Sequence, residues 1–149
     1  MCQKKGKPVY MTAADISADA LSLARENAAE NGAEMSFVQS DLFESIRGKF
    51  DAILSNPPYI PSAEIGNLQR EVKDFEPRLA LDGGADGLDF YRRIAKGFSA
   101  HLAPGGFLLL ECGMGQAESL VALFEGAGGT CEIYQDLAGI ERMVKVTLQ

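Results

Sequence analysis

The residues Asn56-Pro57-Pro58-Tyr59 are the best suited to chemistry in this chain. They follow the apolar run at residues 50–55, which predicts a buried strand. Consecutive prolines lack two backbone N–H donors and fix two φ angles, and a proline also keeps the residue before it extended. The sequence therefore predicts a stiff corner whose carbonyl oxygens have no N–H groups beside them.

Such a corner is suited to holding a planar NH₂ group. The side-chain oxygen of Asn56 and a backbone carbonyl would each accept one N–H, and Tyr59 would cover the flat face. The bound group would be an amide or an exocyclic amine whose nitrogen attacks an electrophile. The alternative is an ordinary turn at the end of a strand, because Asn-Pro commonly initiates turns. The position directly after a buried strand favours the functional interpretation.

The elements that must position this corner alternate between strands and helices. This alternation predicts an α/β fold with a mainly parallel sheet. The last two strands have no helix between them, so we expect an antiparallel hairpin at one edge. The predicted strands are 8–14, 35–39, 50–55, 107–110, 130–134 and 142–148, with a turn at 104–106. The predicted helices are 17–31, 62–72, 88–102 and 116–126, with an irregular segment up to residue 86.

Three polar residues follow predicted strands: Asp15, Asp41 and Asn56. In open parallel sheets, ligands bind outside the carboxyl ends of the strands. An acid after one strand can accept both hydroxyls of a ribose, and an acid after the next can accept the N6 amine of adenine. Aspartate is also a common cap and turn residue, but the three in series favour an adenosine cofactor beside an amine acceptor.

Composition excludes several classes of function. The 149 residues suffice for one domain with a sizeable core. No apolar run reaches the length of about 18 residues that predicts a membrane span. The net charge of −7 disfavours a general grip on nucleic acid. Three cysteines without CxxC spacing argue against disulfides and zinc and favour the cytoplasm, and a single histidine, His101, excludes a multi-histidine metal site.

Three stretches together resemble class I S-adenosylmethionine-dependent methyltransferases. The segment from Asp15-Ile16-Ser17 through Ala20-Leu21, Ala24 and Asn27-Ala28 resembles the region of their second strand. Ser40-Asp41-Leu42-Phe43 resembles their adenine-binding turn. Asn56-Pro57-Pro58-Tyr59 resembles the acceptor motif of members that methylate amide or amine nitrogen, adenine-N6 DNA methyltransferases included.

Further stretches resemble the release-factor glutamine methyltransferases. They are residues 76–81, 83–92, 105–106, 111–113, Gln116, 136–139 and Arg142. The resemblance implies a Rossmann-like sheet, S-adenosylmethionine as cofactor, and N5-methylation of the glutamine in the Gly-Gly-Gln loop of peptide chain release factors. It implies neither a nucleic-acid nor a membrane partner. Ribosomal-protein glutamine methyltransferase, adenine-N6 nucleic-acid methyltransferase and a non-catalytic module remain as alternatives.

The resemblance also assigns roles to residues. Asp15 would bind the ribose, and Asp41 and Leu42 would flank adenine. The residues implied to contact the cofactor are Asp15, Ile16, Asp41, Leu42 and Asn56. Those implied to hold the glutamine amide and carry catalysis are Asn56, Pro57, Pro58 and Tyr59. Glu76 and Glu111 are equally well explained as carboxylates that cap a helix or anchor a loop.

The front of the chain departs from the family pattern. The family has an N-terminal helical domain, then a first strand with a Gly-rich loop, whereas residues 1–14 contain only Gly6. We therefore expect residues 1–149 to form a single, partial catalytic domain of a longer enzyme, or a mis-started reading frame. Because the missing strand is central in the family, we expect strand 8–14 to pair directly with strand 50–55, or a partner chain to fill the gap.

Overall fold

The computed structural model describes residues 9–69 and 77–148, which fall into two compact units divided between Arg47 and Gly48. The first unit contains β1 (Thr12–Asp15), α1 (Ala18–Glu30) and β2 (Ser36–Gln39). The second contains β3 (Phe50–Ser55), a 3₁₀ turn (Ile65–Asn67), α2 (Arg78–Leu81), α3 (Asp89–His101), β4 (Leu102–Glu111), α4 (Ala117–Gly126), β5 (Gly129–Gln135) and β6 (Glu141–Leu148).

The first unit is a β-α-β unit with a parallel pair of strands, in which Asp15 of β1 lies opposite Gln39 of β2. Helix α1 begins where the sequence predicts, because the Ser17 hydroxyl accepts a hydrogen bond from the Ala20 backbone N–H at 3.2 Å. It ends before Gly32, whose φ of 62° suits a glycine. The two strands therefore run in the same direction and end at the same edge.

The sheet of the second unit has the strand order β3-β4-β6-β5. Strands β3 and β4 are parallel, whereas β6 is antiparallel to both of its neighbours, β4 and β5. This confirms the predicted α/β class with parallel strands and a C-terminal antiparallel hairpin at an edge. Within the described ranges, no helix is long and apolar enough to cross a membrane.

The core of the second unit lies on one face of this sheet. Buried Leu108 and Leu110 of β4 lie opposite buried Val146 and Val144 of β6. Helices α3 and α4 contact these strands and contribute further fully buried side chains: Tyr91, Ile94, Phe98, Leu120 and Phe124. Each such side chain contributes about 1.5–3 kcal/mol of transfer free energy. This packing fixes β4, and so gives the adjoining β3 a rigid neighbour.

Two predictions of secondary structure are wrong. Residues 62–69 form turns and the 3₁₀ element instead of a helix, because the Ser62 backbone N–H bonds to the Gly84 carbonyl at 2.8 Å; residues 70–72 lie outside the described ranges. Strand β4 begins at Leu102, and the predicted turn at 104–106 is a bulge within it, where the register against β3 shifts and Gly105 has a φ of 76°.

The expected direct pairing of the strand at 8–14 with the strand at 50–55 is also wrong. Among the described residues, β1 pairs with β2 and β3 pairs with β4. The two strands belong to separate sheets in separate compact units, and each makes its interstrand hydrogen bonds with a strand of its own unit. The other expectation, that a partner chain fills the gap left by the family's first strand, stays a prediction.

Candidate active site

The first unit brings together the residues predicted to bind adenosine. The carbonyl of Asp15, at the end of β1, accepts a hydrogen bond from the Ser40 N–H at 2.9 Å. The Gln39 side-chain amide, at the end of β2, donates to the Ile16 carbonyl at 2.9 Å. These bonds tie the segment after β1 to the segment after β2, as expected for neighbouring parallel strands.

The Asp15 side chain keeps most of its hydrogen-bonding capacity. Its Oδ1 atom accepts a bond from the Ser17 N–H at 2.8 Å, and the side chain is exposed. An ionised carboxylate offers about four lone-pair sites on two oxygens. Asp15 can therefore still accept two hydroxyl groups while the Ser17 contact holds its orientation.

The turn that contains Asp41 is held by Ser40, which is only 5 % exposed. The Ser40 hydroxyl donates to the Leu42 carbonyl and accepts from the Ser45 N–H, both at 2.9 Å. Leu42 has a φ of 50°, a left-handed conformation that costs a non-glycine residue roughly 1–2 kcal/mol. The two bonds of Ser40 stabilise this turn and so fix where Asp41 and Leu42 lie.

The second unit contains the Asn56–Tyr59 corner, directly after β3. Two carbonyl groups at the end of this corner and just beyond it already accept hydrogen bonds. The Tyr59 carbonyl accepts from the Gln116 side-chain amide at 2.9 Å, and the Ile60 carbonyl accepts from the Gly83 N–H at 2.9 Å. The Pro58 carbonyl lies against Gly83, where an added Cβ would be 2.8 Å from the oxygen.

Two acceptors of the corner have no hydrogen-bond partner within the described ranges; Asn56 is exposed, whereas Pro57 is buried. The Pro57 carbonyl accepts no backbone hydrogen bond, and the exposed Asn56 side chain makes none, within residues 9–69 and 77–148. These are the same two groups that the sequence predicts will hold a planar NH₂. Because the two prolines contribute no N–H donor, the corner favours a ligand that donates N–H groups to its acceptors.

Three glycines allow other segments to approach this corner closely. A Cβ at Gly87, whose φ is 76°, would lie 2.3 Å from the Tyr59 carbonyl oxygen. A Cβ at Gly113 would lie 3.0 Å from the Tyr59 ring, and one at Gly83 would lie 2.8 Å from the Tyr59 Cα. Any side chain at these positions would push Tyr59 out of place.

The loop that contains Gly83 is organised by Asp82. The Asp82 carboxylate accepts hydrogen bonds from the Ser62 hydroxyl at 2.5 Å and the Gly84 N–H at 3.1 Å, and it pairs with Arg78 at 3.2 Å. The Ser62 bond is the largest of the causes that lower the pKa of Asp82 below its ordinary value; the Gly84 N–H and Arg78 act in the same direction. The ionised form of Asp82 is therefore the one that holds the loop.

We expect the variant Asp82→Asn to be less stable than the unchanged protein near neutral pH. A carboxyl group with a lowered pKa stabilises the folded state above its unfolded pKa, near 3.8, and this stabilisation is lost as the pH falls through the folded value. The two urea midpoints should therefore differ near neutral pH and converge in acid. An equal difference at both pH values would contradict this role of the Asp82 charge.

The segment between the loop that contains Gly83 and helix α3 is held by ion pairs. Arg92 bonds to both Asp86 and Asp89, and its bond lowers the pKa of Asp86 to about 2. Behind it, the fully buried Tyr91 donates its hydroxyl to the Glu111 carbonyl at 2.7 Å, and burial raises the pKa of Tyr91. Glu111 therefore contributes its backbone at the end of β4, whereas Glu76 lies outside the described residues.

The predicted site residues thus fall into two sets. Asp15, Ile16, Asp41 and Leu42 lie together in the first unit, and the Asn56–Tyr59 corner lies in the second. Ser40, Gly87 and Gln116 support these sets; the sequence places them in stretches that resemble the family but assigns them no role of their own. The sequence marks Gln116 only by its family resemblance, because its partner Tyr59 is distant in sequence and the bridge follows from the fold.

The methyltransferase small domain family matches residues 1–79 of the chain. A release factor glutamine methyltransferase of Geobacter sulfurreducens is 48% identical over 130 residues, which are 86% of this chain and 46% of that protein. The chain spans about half the length of the curated relatives it matches.

Solved structures agree with this likeness. A release-factor-specific protein-(glutamine-N5) methyltransferase of Alicyclobacillus acidocaldarius is 26% identical with a TM-score of 0.51, covering 94% of this chain and 80% of that one. A Pyrococcus furiosus methyltransferase, 19% identical with a TM-score of 0.62, covers 91% of this chain and 60% of that one, and shares the fold. Because this family match extends over more than half of the chain, the chain belongs to the methyltransferase small domain family.

Proposed function

We propose that the gene product containing this chain transfers a methyl group from S-adenosylmethionine to N5 of the glutamine in the Gly-Gly-Gln loop of peptide chain release factors. The observation that carries the proposal is that neither the Asn56 side chain nor the Pro57 carbonyl is hydrogen-bonded within the described residues. The names of the curated relatives support the same acceptor.

The residues of the first unit fit the adenosine part of the cofactor. Asp15 has free lone pairs for the two ribose hydroxyls, and Ile16 adjoins it. Asp41 supplies a carboxylate for the adenine amine, and Leu42 supplies an apolar side chain for its flat face. When bound, S-adenosylmethionine supplies an electrophilic methyl group on sulfonium sulfur.

The second unit orients the acceptor. The lone pair of an amide nitrogen is delocalised, so the nitrogen is a poor nucleophile. Asn56 Oδ1 and the Pro57 oxygen accept its two N–H groups, which increases electron density on nitrogen and aims it, while Pro58 keeps the corner stiff and Tyr59 packs on the amide. These contributions are positioning and electrostatics, and the site needs no acid–base pair before attack.

A methyl-transfer assay that offers release factor and adenine-containing DNA in parallel tests the proposal. We expect label from the cofactor to enter the release factor and not the DNA. A release factor with alanine in place of the Gly-Gly-Gln glutamine is the matched control and should stay unlabelled. Labelling of DNA, or equal labelling of the control, would contradict the proposed acceptor.

A further inference from the structure

The Gln116 side chain joins the acceptor corner to the end of β4. Its Nε2 donates to the Tyr59 carbonyl and its Oε1 accepts from the Gly113 N–H, both at 2.9 Å. A carbonyl can only accept and a backbone N–H can only donate, so these partners fix the orientation of the amide. Asparagine offers the same amide but is one methylene shorter, and the ionised carboxylate of glutamate only accepts.

The surroundings of Gln116 are built around this bridge. Gln116 lies at the N-cap of α4, but its side chain makes no capping bond there. Gly87 leaves the space above the bridge free, since a Cβ there would lie 2.6 Å from Gln116 Nε2, and one at Gly113 would lie 2.9 Å from Gln116 Oε1. The Gln116 side chain is therefore closely approached by two glycines, and it bridges two segments instead of capping its own helix.

We propose that Gln116 is a positioning residue that sets the acceptor geometry of the Asn56–Tyr59 corner. By occupying the Tyr59 carbonyl, Gln116 fixes the peptide plane beyond the two prolines and so sets where the Asn56 side chain and the Pro57 carbonyl lie. By accepting from Gly113, it holds this plane against the segment that follows β4. Gln116 touches neither substrate nor cofactor in this role, and the inference rests on the proposed function only for its kinetic consequence.

Two variants separate the two bonds. Gln116→Leu removes both, whereas Gln116→Glu keeps an acceptor for the Gly113 N–H and loses the donor to Tyr59. Hydrogen exchange at the Gly113 amide should speed up in Gln116→Leu and stay slow in Gln116→Glu. This readout needs no activity, so it tests the bridge even if the proposed acceptor is incorrect.

For catalysis, both variants should lower kcat by about tenfold to a hundredfold, because misplacement of a reacting group by about 1 Å has effects of this size. The KM for release factor should stay unchanged. The stoichiometry of S-adenosylmethionine binding should also stay unchanged, whereas a smaller folded fraction would lower it. Glu118→Gln, an exposed change in the first turn of α4, is the matched control and should retain full activity.

The outcomes are distinct. If the protein without any substitution did not methylate release factor, the proposed function would be contradicted. Fast exchange at Gly113 in Gln116→Leu would still support the bridge in that case. If the unsubstituted protein is active and the kcat of Gln116→Glu stays within about threefold of its value, the positioning role is overturned. Equally slow exchange at Gly113 in all variants would overturn the bridge itself.

Discussion

Replacing Asn56 by alanine is expected to lower kcat for release-factor methylation by about a hundredfold or more while the fold is preserved. Loss of one preorganised hydrogen bond to a transition state costs roughly 3 kcal/mol. Asn56 is exposed and bonds to no other residue in the described part of the chain, so its removal leaves no buried partner unsatisfied. Single-turnover kinetics with saturating cofactor measures the effect.

The matched control is Asn67→Ala. Asn67 is an exposed asparagine in the same unit, at the end of the 3₁₀ turn and outside the corner. It should leave the rate unchanged, and both variants should keep the circular dichroism of the unchanged protein. An Asn56→Ala protein within about threefold of the unchanged rate would mean that the corner is only a turn.

Asp15→Ala should weaken the binding of S-adenosylmethionine by about a hundredfold or more, without a change in the preferred acceptor. Each hydrogen bond from a ribose hydroxyl to the carboxylate is worth roughly 1.5–3 kcal/mol, and the variant removes two. Titration calorimetry on the gene product measures the dissociation constant, and the acceptor assay measures the preference.

Asp19→Ala is the control for Asp15. Asp19 is also exposed and lies in the first turn of α1, so the variant removes the same charge from the same end of the helix. Its cofactor affinity should stay close to that of the unchanged protein. Equal affinities for all three proteins would show that Asp15 acts only through its bond to the Ser17 N–H, as an element of helix entry.

The elements that the sequence predicts well are those in which local signals and burial agree. Helix α1 has a favoured N-cap in Ser17, an apolar stripe that includes Leu21, and a glycine at its end, and all three act as expected. The buried run of β4 and the alternating residues of β6 likewise carry their own periodicity.

The failures arise where contacts distant in sequence decide the structure. Residues 62–69 have helix-compatible composition, but Ser62 is drawn into hydrogen bonds with Asp82 and Gly84, twenty or more positions away. The bulge at Gly105 depends on the approach of Gly106 to β3, where a Cβ would lie 2.8 Å from the Phe50 carbonyl. Neither contact has a signature in the local sequence.

The same distinction applies to the candidate site. Asn56 and Asp15 are predictable because each ends a recognisable strand with a side chain suited to a ligand. Gln116 is not, since its partner Tyr59 is 57 positions away and only the fold joins them. Ser40 is intermediate: it precedes Asp41 in the turn, but its burial and its two hydrogen bonds emerge only from the structure.

Tandem mass spectrometry of a release factor after incubation with the gene product and S-adenosylmethionine tests the central claim most directly. The account predicts one added methyl group, located on the side-chain nitrogen of the Gly-Gly-Gln glutamine, and none with the Asn56→Ala protein. Addition at any other residue, or equal addition by the Asn56→Ala protein, would contradict the claim that this corner holds the glutamine amide for methyl transfer.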